Sequence, residues 1–157
     1  MDLTINIEGY KLNIRAAVII IHNNKILVHK NINSDHCTLI GGRVEIGEDS
    51  ESTVKREVQE ELNKEIEITG YVSTIENFFE LKGEKFHEIL FIHKAEFKNT
   101  DDRKIEHTLK NAEGKEYLQY KWLDLDKIDQ YPLVPKVIKE ILKEENLPIH
   151  KINNDMI

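Results

Sequence analysis

With 157 residues, the chain has the length of one domain, and its 22 Lys+Arg against 29 Asp+Glu give a formal charge of −7. That balance disfavours indiscriminate binding to nucleic acid or to an anionic membrane, and an anionic substrate would need a local cation to approach. The single cysteine, Cys37, excludes a disulfide framework and a Cys-based zinc site.

A domain of this size buries about 70% of its unfolded surface. The longest aliphatic run, Ala16 to Ile21, is far too short to span a bilayer, and no signal peptide is visible, so a cytoplasmic location is expected. Residues 1–147 are expected to form the single domain, as a monomer or homodimer, with 148–157 a frayed tail.

From Met1 to Lys11, Leu3, Ile5 and Ile7 alternate with polar residues, the pattern of an edge strand. Asn13 to Ile21 is a β-branched run that reads as a buried central strand. Asn23-Asn24 then forms a two-residue hairpin turn into Lys25–His29. Asn31 to Asp35 is a polar loop, and Cys37 to Ile40 a short strand. Gly41, Gly42 and Gly47 follow in a loop where glycine permits tight turning and close approach to a ligand.

A helix is expected next, capped by Asp49 or Ser50 and ended by Asn63, which tolerates left-handed geometry. Val54, Val58 and Leu62, four apart, make one apolar stripe. At roughly 100° per residue, Glu61, Glu57 and Glu60 fall beside that stripe in one arc. Like charges four apart repel by a few tenths of a kcal/mol. A divalent cation reverses that repulsion, whereas the bland alternative is a solvated acidic face with a Glu60–Lys64 pair.

Glu65 to Glu80 and Lys85 to Phe97 read as long strands joined by a turn at Lys82-Gly83-Glu84. Asn99 to Gly114 is polar and without apolar periodicity, a functional or mobile loop. A further strand spans Glu116 to Leu123, and Leu133 to Leu142 is expected to form a C-terminal helix with Pro135 in its first turn. This order suits an α/β (α+β) fold, an α/β/α sandwich with a mixed β-sheet.

The run Gly42-x5-Glu48-x7-Arg56-Glu57-Val58-x-Glu60-Glu61-x-Asn63 resembles the Nudix box, G-x5-E-x7-R-E-U-x-E-E-x-G-U with U aliphatic. It departs at Asn63 for the last glycine and at Lys64 for the last aliphatic residue. The chain is compatible with the Nudix fold from about residue 13 to 145. The resemblance implies a hydrolase that splits a phosphoanhydride in a small nucleotide or nucleoside diphosphate derivative, using Mg²⁺ or Mn²⁺. It makes Glu57, Glu60, Glu61 and the backbone carbonyl of Gly41 the metal ligands. It also has Glu57 orient or deprotonate the attacking water. Arg56 lies about 100° from Glu57 and is better placed to brace Glu48 and the loop than to reach substrate. The alternative is a Nudix-fold module that binds a nucleotide or protein without cleaving it.

The general base is left open: Glu106, Glu113 and Glu116 are candidates, each more simply an exposed glutamate. His87 and His93 share a strand face with Ile89, Phe91 and Phe97 and read as hydrogen-bonded core or rim residues. His22, His29, His36, His107 and His150 show no ligand spacing with one another. Phe78, Phe79 and Phe86 read as cross-strand pairs rather than a base-stacking platform. The proline that marks Nudix enzymes of ADP-ribose, the tyrosine of those acting on diadenosine polyphosphates and the coenzyme A pattern are all missing. A nucleoside triphosphate or another small nucleotide is therefore favoured.

Overall fold

The structure, a computed structural model, describes residues 1–104 and 108–156. Among them eight strands form one mixed sheet: β1 Thr4–Ile7, β2 Tyr10–His22, β3 Lys25–Asn31, β4 Ile40–Arg43, β5 Ile66–Leu81, β6 Glu84–Phe97, β7 Leu118–Asp124 and β8 Ile149–Asn154. Two α-helices accompany them, α1 Ser50–Leu62 and α2 Val137–Ile141. Strand order is β7-β3-β2-β6-β5-β8, with β1 and β4 both pairing with β2.

β2 is the axis of the sheet because Ala16 to Ile20 are buried on both faces, the pattern of a strand with parallel pairing. It runs parallel to β6 from Tyr10↔Lys85 to Ile20↔Ala95. On its other edge it pairs with β4 over residues 15–18 and meets β3 only at Ile21 and His22. β3 thus peels away to pair with β7.

The two faces carry separate cores. On one, Val54, Val58 and Leu62 of α1 pack with Ala16, Val18, Ile20, Ala95 and Phe97. On the other, Val137, Ile138 and Ile141 of α2 pack with Ala17, Ile19, Ile75, Leu90 and Ile92. Each fully buried aliphatic side chain contributes about 1.5–3 kcal/mol, so the expected stripe is enough to hold α1 on the sheet.

Four sequence expectations need correction. Met1 to Lys11 is not one edge strand, because the chain reverses at Glu8-Gly9, where both residues have positive φ. Asn23-Asn24 and Lys82-Gly83 turn in the same way, and all three hairpins have two-residue turns. Gly41 and Gly42 lie in β4 rather than in a loop, and the expected Cys37–Ile40 strand begins only at Ile40. The C-terminal helix has only five residues. Pro135 lacks an N–H and disfavours helical geometry before it, while Cys37 bonds to both Pro132 and Val134.

Residues 148–157 do not fray over their whole length: β8 adds to β5 in parallel, Ser73↔Ile149 to Phe78↔Asn154. A buried polar chain crosses the sheet at that end. Glu88, 2% exposed, accepts from Asn13 Nδ2 at 2.8 Å and Asn77 Nδ2 at 3.1 Å. Asn153 Nδ2 of β8 donates to Asn77 Oδ1 at 2.9 Å.

Candidate active site

The acidic helix is built by local chemistry. Asp49 caps its start, its carboxylate accepting from Ser52 N at 2.8 Å. Asn63 closes it in left-handed geometry, φ 53° and ψ 43°, with its N–H donating to Gln59 O. Ser50 Oγ lies 2.7 Å from His93 Nε2, which ties the helix start to β6. His93 is buried, and burial holds its imidazole below the ordinary value. His87 packs on the Phe78 ring instead, and Phe79 stacks on Phe86 across the hairpin.

Glycine is required at 41 and 42 for space, since of the loop glycines expected to turn only Gly47 has positive φ. A Cβ at Gly41 would stand 2.1 Å from Ala16 O, and one at Gly42 would stand 2.0 Å from Glu57 Oε1. Bare backbone at 42 is what lets the Glu57 carboxylate lie on β4.

Arg56 is the hub. Its Nε and Nη2 hold Glu48 Oε2 and Oε1 at 2.8 and 3.0 Å, and Nη2 also reaches Arg43 O at 3.0 Å. Nη1 donates to Glu57 Oε1 at 2.9 Å and touches both oxygens of Glu60 at 3.4 Å. A bidentate guanidinium–carboxylate grip of this kind fixes geometry as well as charge. Its hydrogen bonds lower Glu48 to about 2, helped by Thr53 Oγ1 at 2.6 Å. Glu48 in turn raises Arg56. Burial raises Glu57, against the pull of Arg56. Thus Arg56 braces Glu48 and the loop, as its angular position on the helix requires.

Glu61 is held by a different set of partners. It is buried, and Tyr120 Oη donates to its Oε2 at 2.9 Å while His29 Nδ1 lies 3.1 Å from the same oxygen. Asn111 Nδ2 donates to Tyr120 Oη at 2.9 Å, and Ala112 N donates to Glu61 O at 2.7 Å. Burial pushes the Tyr120 phenol up. Sequence reasoning missed both Tyr120 and His29. They stand opposite each other in the β3–β7 register, at 59 and 32 positions from Glu61, and no local spacing announces them.

Of the candidate bases, Glu113 is exposed and paired with Lys115 at 3.2 Å, and Glu116 is exposed. Neither bonds to α1 among the described residues, and Glu106 lies outside them. Also among the described residues, no three His, Cys, Asp or Glu side chains stand at metal-ligand spacing. The donor set still fits a hard divalent cation: Glu57, Glu60 and Glu61 offer only carboxylate oxygens. Bare Gly42 leaves Glu57 against the strand that carries the Gly41 carbonyl.

The NUDIX domain model matches residues 12–144. No curated protein sequence matches the chain. Among solved structures, the E. coli ORF135 protein is 25% identical, with a TM-score of 0.55, over 88% of this chain and 91% of that one. A MutT protein from Bacillus halodurans is 20% identical, with a TM-score of 0.63, over 84% and 80%. An ADP-ribose pyrophosphatase from Streptococcus suis is 14% identical, with a TM-score of 0.61, over 89% and 98%. The last two show the fold alone.

Proposed function

Because the chain belongs to the NUDIX domain family and is a Nudix-type pyrophosphohydrolase, we propose that it hydrolyses a phosphoanhydride of a small nucleotide or nucleoside diphosphate derivative with Mg²⁺ or Mn²⁺. The observation that carries this reading is the Arg56 hub, which gathers Glu48, Glu57 and Glu60, with the Glu57 carboxylate lying against bare Gly42 of β4. In this reading Glu57, Glu60, Glu61 and the Gly41 carbonyl hold the cation. When bound, the cation neutralises the diphosphate and the leaving phosphate. The protein groups do the rest. Glu57 orients the attacking water and accepts its proton at a carboxylate oxygen. Arg56 and Glu48 hold that carboxylate and the loop in register, and the Asp49 cap fixes the first turn of α1.

Among the described residues no helix is long and apolar enough to cross a membrane. An ADP-ribose pyrophosphatase shares the fold, so ADP-ribose belongs in the assay beside nucleoside triphosphates, nucleotide sugars and dinucleoside polyphosphates.

Glu57→Gln, Glu60→Gln and Glu61→Gln should each lower turnover at least ~10²-fold, the scale of a lost transition-state electrostatic contact. Calorimetric Mn²⁺ affinity should fall alongside. Full turnover with unchanged Mn²⁺ binding in all three variants would leave the acidic face as solvated surface, and a non-catalytic binding module would then lead.

A further inference from the structure

Glu61 differs from its two neighbours on α1. Glu57 and Glu60 are held by Arg56 from the same helix, whereas Glu61 is buried and held from the sheet. Both of its partners end on one oxygen, Oε2, and among the described residues Oε1 has no hydrogen-bond partner. The two partners, His29 and Tyr120, stand opposite each other on β3 and β7. A carboxylate anchored through one oxygen by two donors presents the other in a fixed direction, the usual task of groups behind a metal ligand.

Among the described residues only the Tyr120 side chain connects onward by a hydrogen bond. Its hydroxyl accepts from Asn111 Nδ2 at 2.9 Å. The Oδ1 of Asn111 in turn accepts from Glu113 N at 2.9 Å and Lys115 N at 3.1 Å. The loop therefore closes its turn on the same side chain that reaches Tyr120. A second contact, Ala112 N to Glu61 O at 2.7 Å, ties that segment to the helix end.

We propose that Tyr120 is a positioning residue for Glu61, and that Asn111 makes the loop segment 111–115 part of the same unit, so that the cation site is complete only when this segment is seated. The proposal rests on the reading of Glu61 as a cation ligand. Tyr120→Phe keeps the ring and its burial while removing the hydrogen bond. Groups behind a metal ligand typically set affinity or activity by 10–100-fold. Tyr120→Phe should therefore weaken Mn²⁺ affinity about tenfold by calorimetry and lower kcat at limiting Mn²⁺. KM for the nucleotide should stay unchanged, and excess Mn²⁺ should restore kcat. Asn111→Ala should reproduce the loss in milder form.

Glu61→Gln serves as the reference, and adding Tyr120→Phe to it should cost nothing further in Mn²⁺ affinity. If Glu61→Gln weakens Mn²⁺ binding but Tyr120→Phe only lowers the melting temperature, Tyr120 is structural and the proposal falls alone. If Glu61→Gln leaves Mn²⁺ affinity unchanged, the ligand reading of Glu61 falls and takes the proposal with it.

Discussion

Gly41 and Gly42 are adjacent, yet alanine at each should fail in a different way. At Gly41 the new Cβ would lie 2.1 Å from Ala16 O, 2.7 Å from Ala17 Cα and 3.0 Å from Ala16 C, all main chain of β2. A carbon–oxygen contact needs roughly 3.3 Å, so β4 must retreat by about an ångström and loosen its ladder. Overpacking of about 1–3 kcal/mol plus about 1 kcal/mol per ladder bond lost gives about 3–4 kcal/mol. For a chain of this size that lowers the melting temperature by about 10 °C. At Gly42 the clash is with the Glu57 carboxylate, Oε1 at 2.0 Å and Cδ at 2.2 Å, which can swing aside. The cost is the Arg56–Glu57 bond, about 1.5–3 kcal/mol, offset by about 0.5–1 kcal/mol from replacing a strand glycine. The net is about 0.5–2.5 kcal/mol, a few degrees. Turnover should nonetheless fall ~10²-fold, because the carboxylate moves by more than an ångström. Calorimetric melts and a phosphate-release assay on both variants separate the two outcomes. A Gly41→Ala protein that melts like the parent, or a Gly42→Ala protein with full turnover, would refute the reasoning.

At the helix end, Asn63 has φ 53°. Asn63→Gly should leave thermal stability unchanged or slightly raised, while Asn63→Val should cost about 1 kcal/mol or more in a thermal melt, since a β-branched side chain resists positive φ. Glu48 governs part of the acid limb. Its carboxyl titrates near 2 in the folded state against 4.5 ordinarily. The stabilisation is therefore complete above pH 4.5 and is lost as pH falls from 4.5 towards 2. Its size is on the order of 3 kcal/mol. Urea unfolding at pH 5 and pH 3 should show Glu48→Gln flattening that interval; an unchanged slope would remove Glu48 as its source.

What the sequence makes legible here is what is local. Val54, Val58 and Leu62 sit at helical spacing, Asp49 and Asn63 carry their own capping chemistry, and Arg56 reaches Glu48 because helix geometry points it there. The glycine pair misleads because glycine allows both unusual φ and close approach. Only the position of β2 against β4 says which applies. Glu8-Gly9 turns with a glutamate at positive φ, which turn propensities disfavour. β8 is hidden because its residues are mostly polar, and its place comes from the β5 edge and from Asn77. Tyr120 and His29 meet Glu61 through strand pairing, which has no trace in spacing.

The buried Glu88 chain has a consequence for alignment of the strands. Ala16 to Ile20 of β2 are apolar on both faces, so sliding β2 by one residue along β6 would bury much the same surface and meet little hydrophobic resistance. Asn13 and Glu88 supply the missing discrimination. A one-step slip would carry Asn13 to the opposite face and strip a donor from a carboxylate that is 2% exposed. Losing one donor to a buried carboxylate costs about 1–3 kcal/mol. Asn77 and Asn153 extend the same check to β5 and β8. Four strands are thereby keyed to one another by a single acid, and through β2 the key reaches β4 and the backbone beneath Glu57.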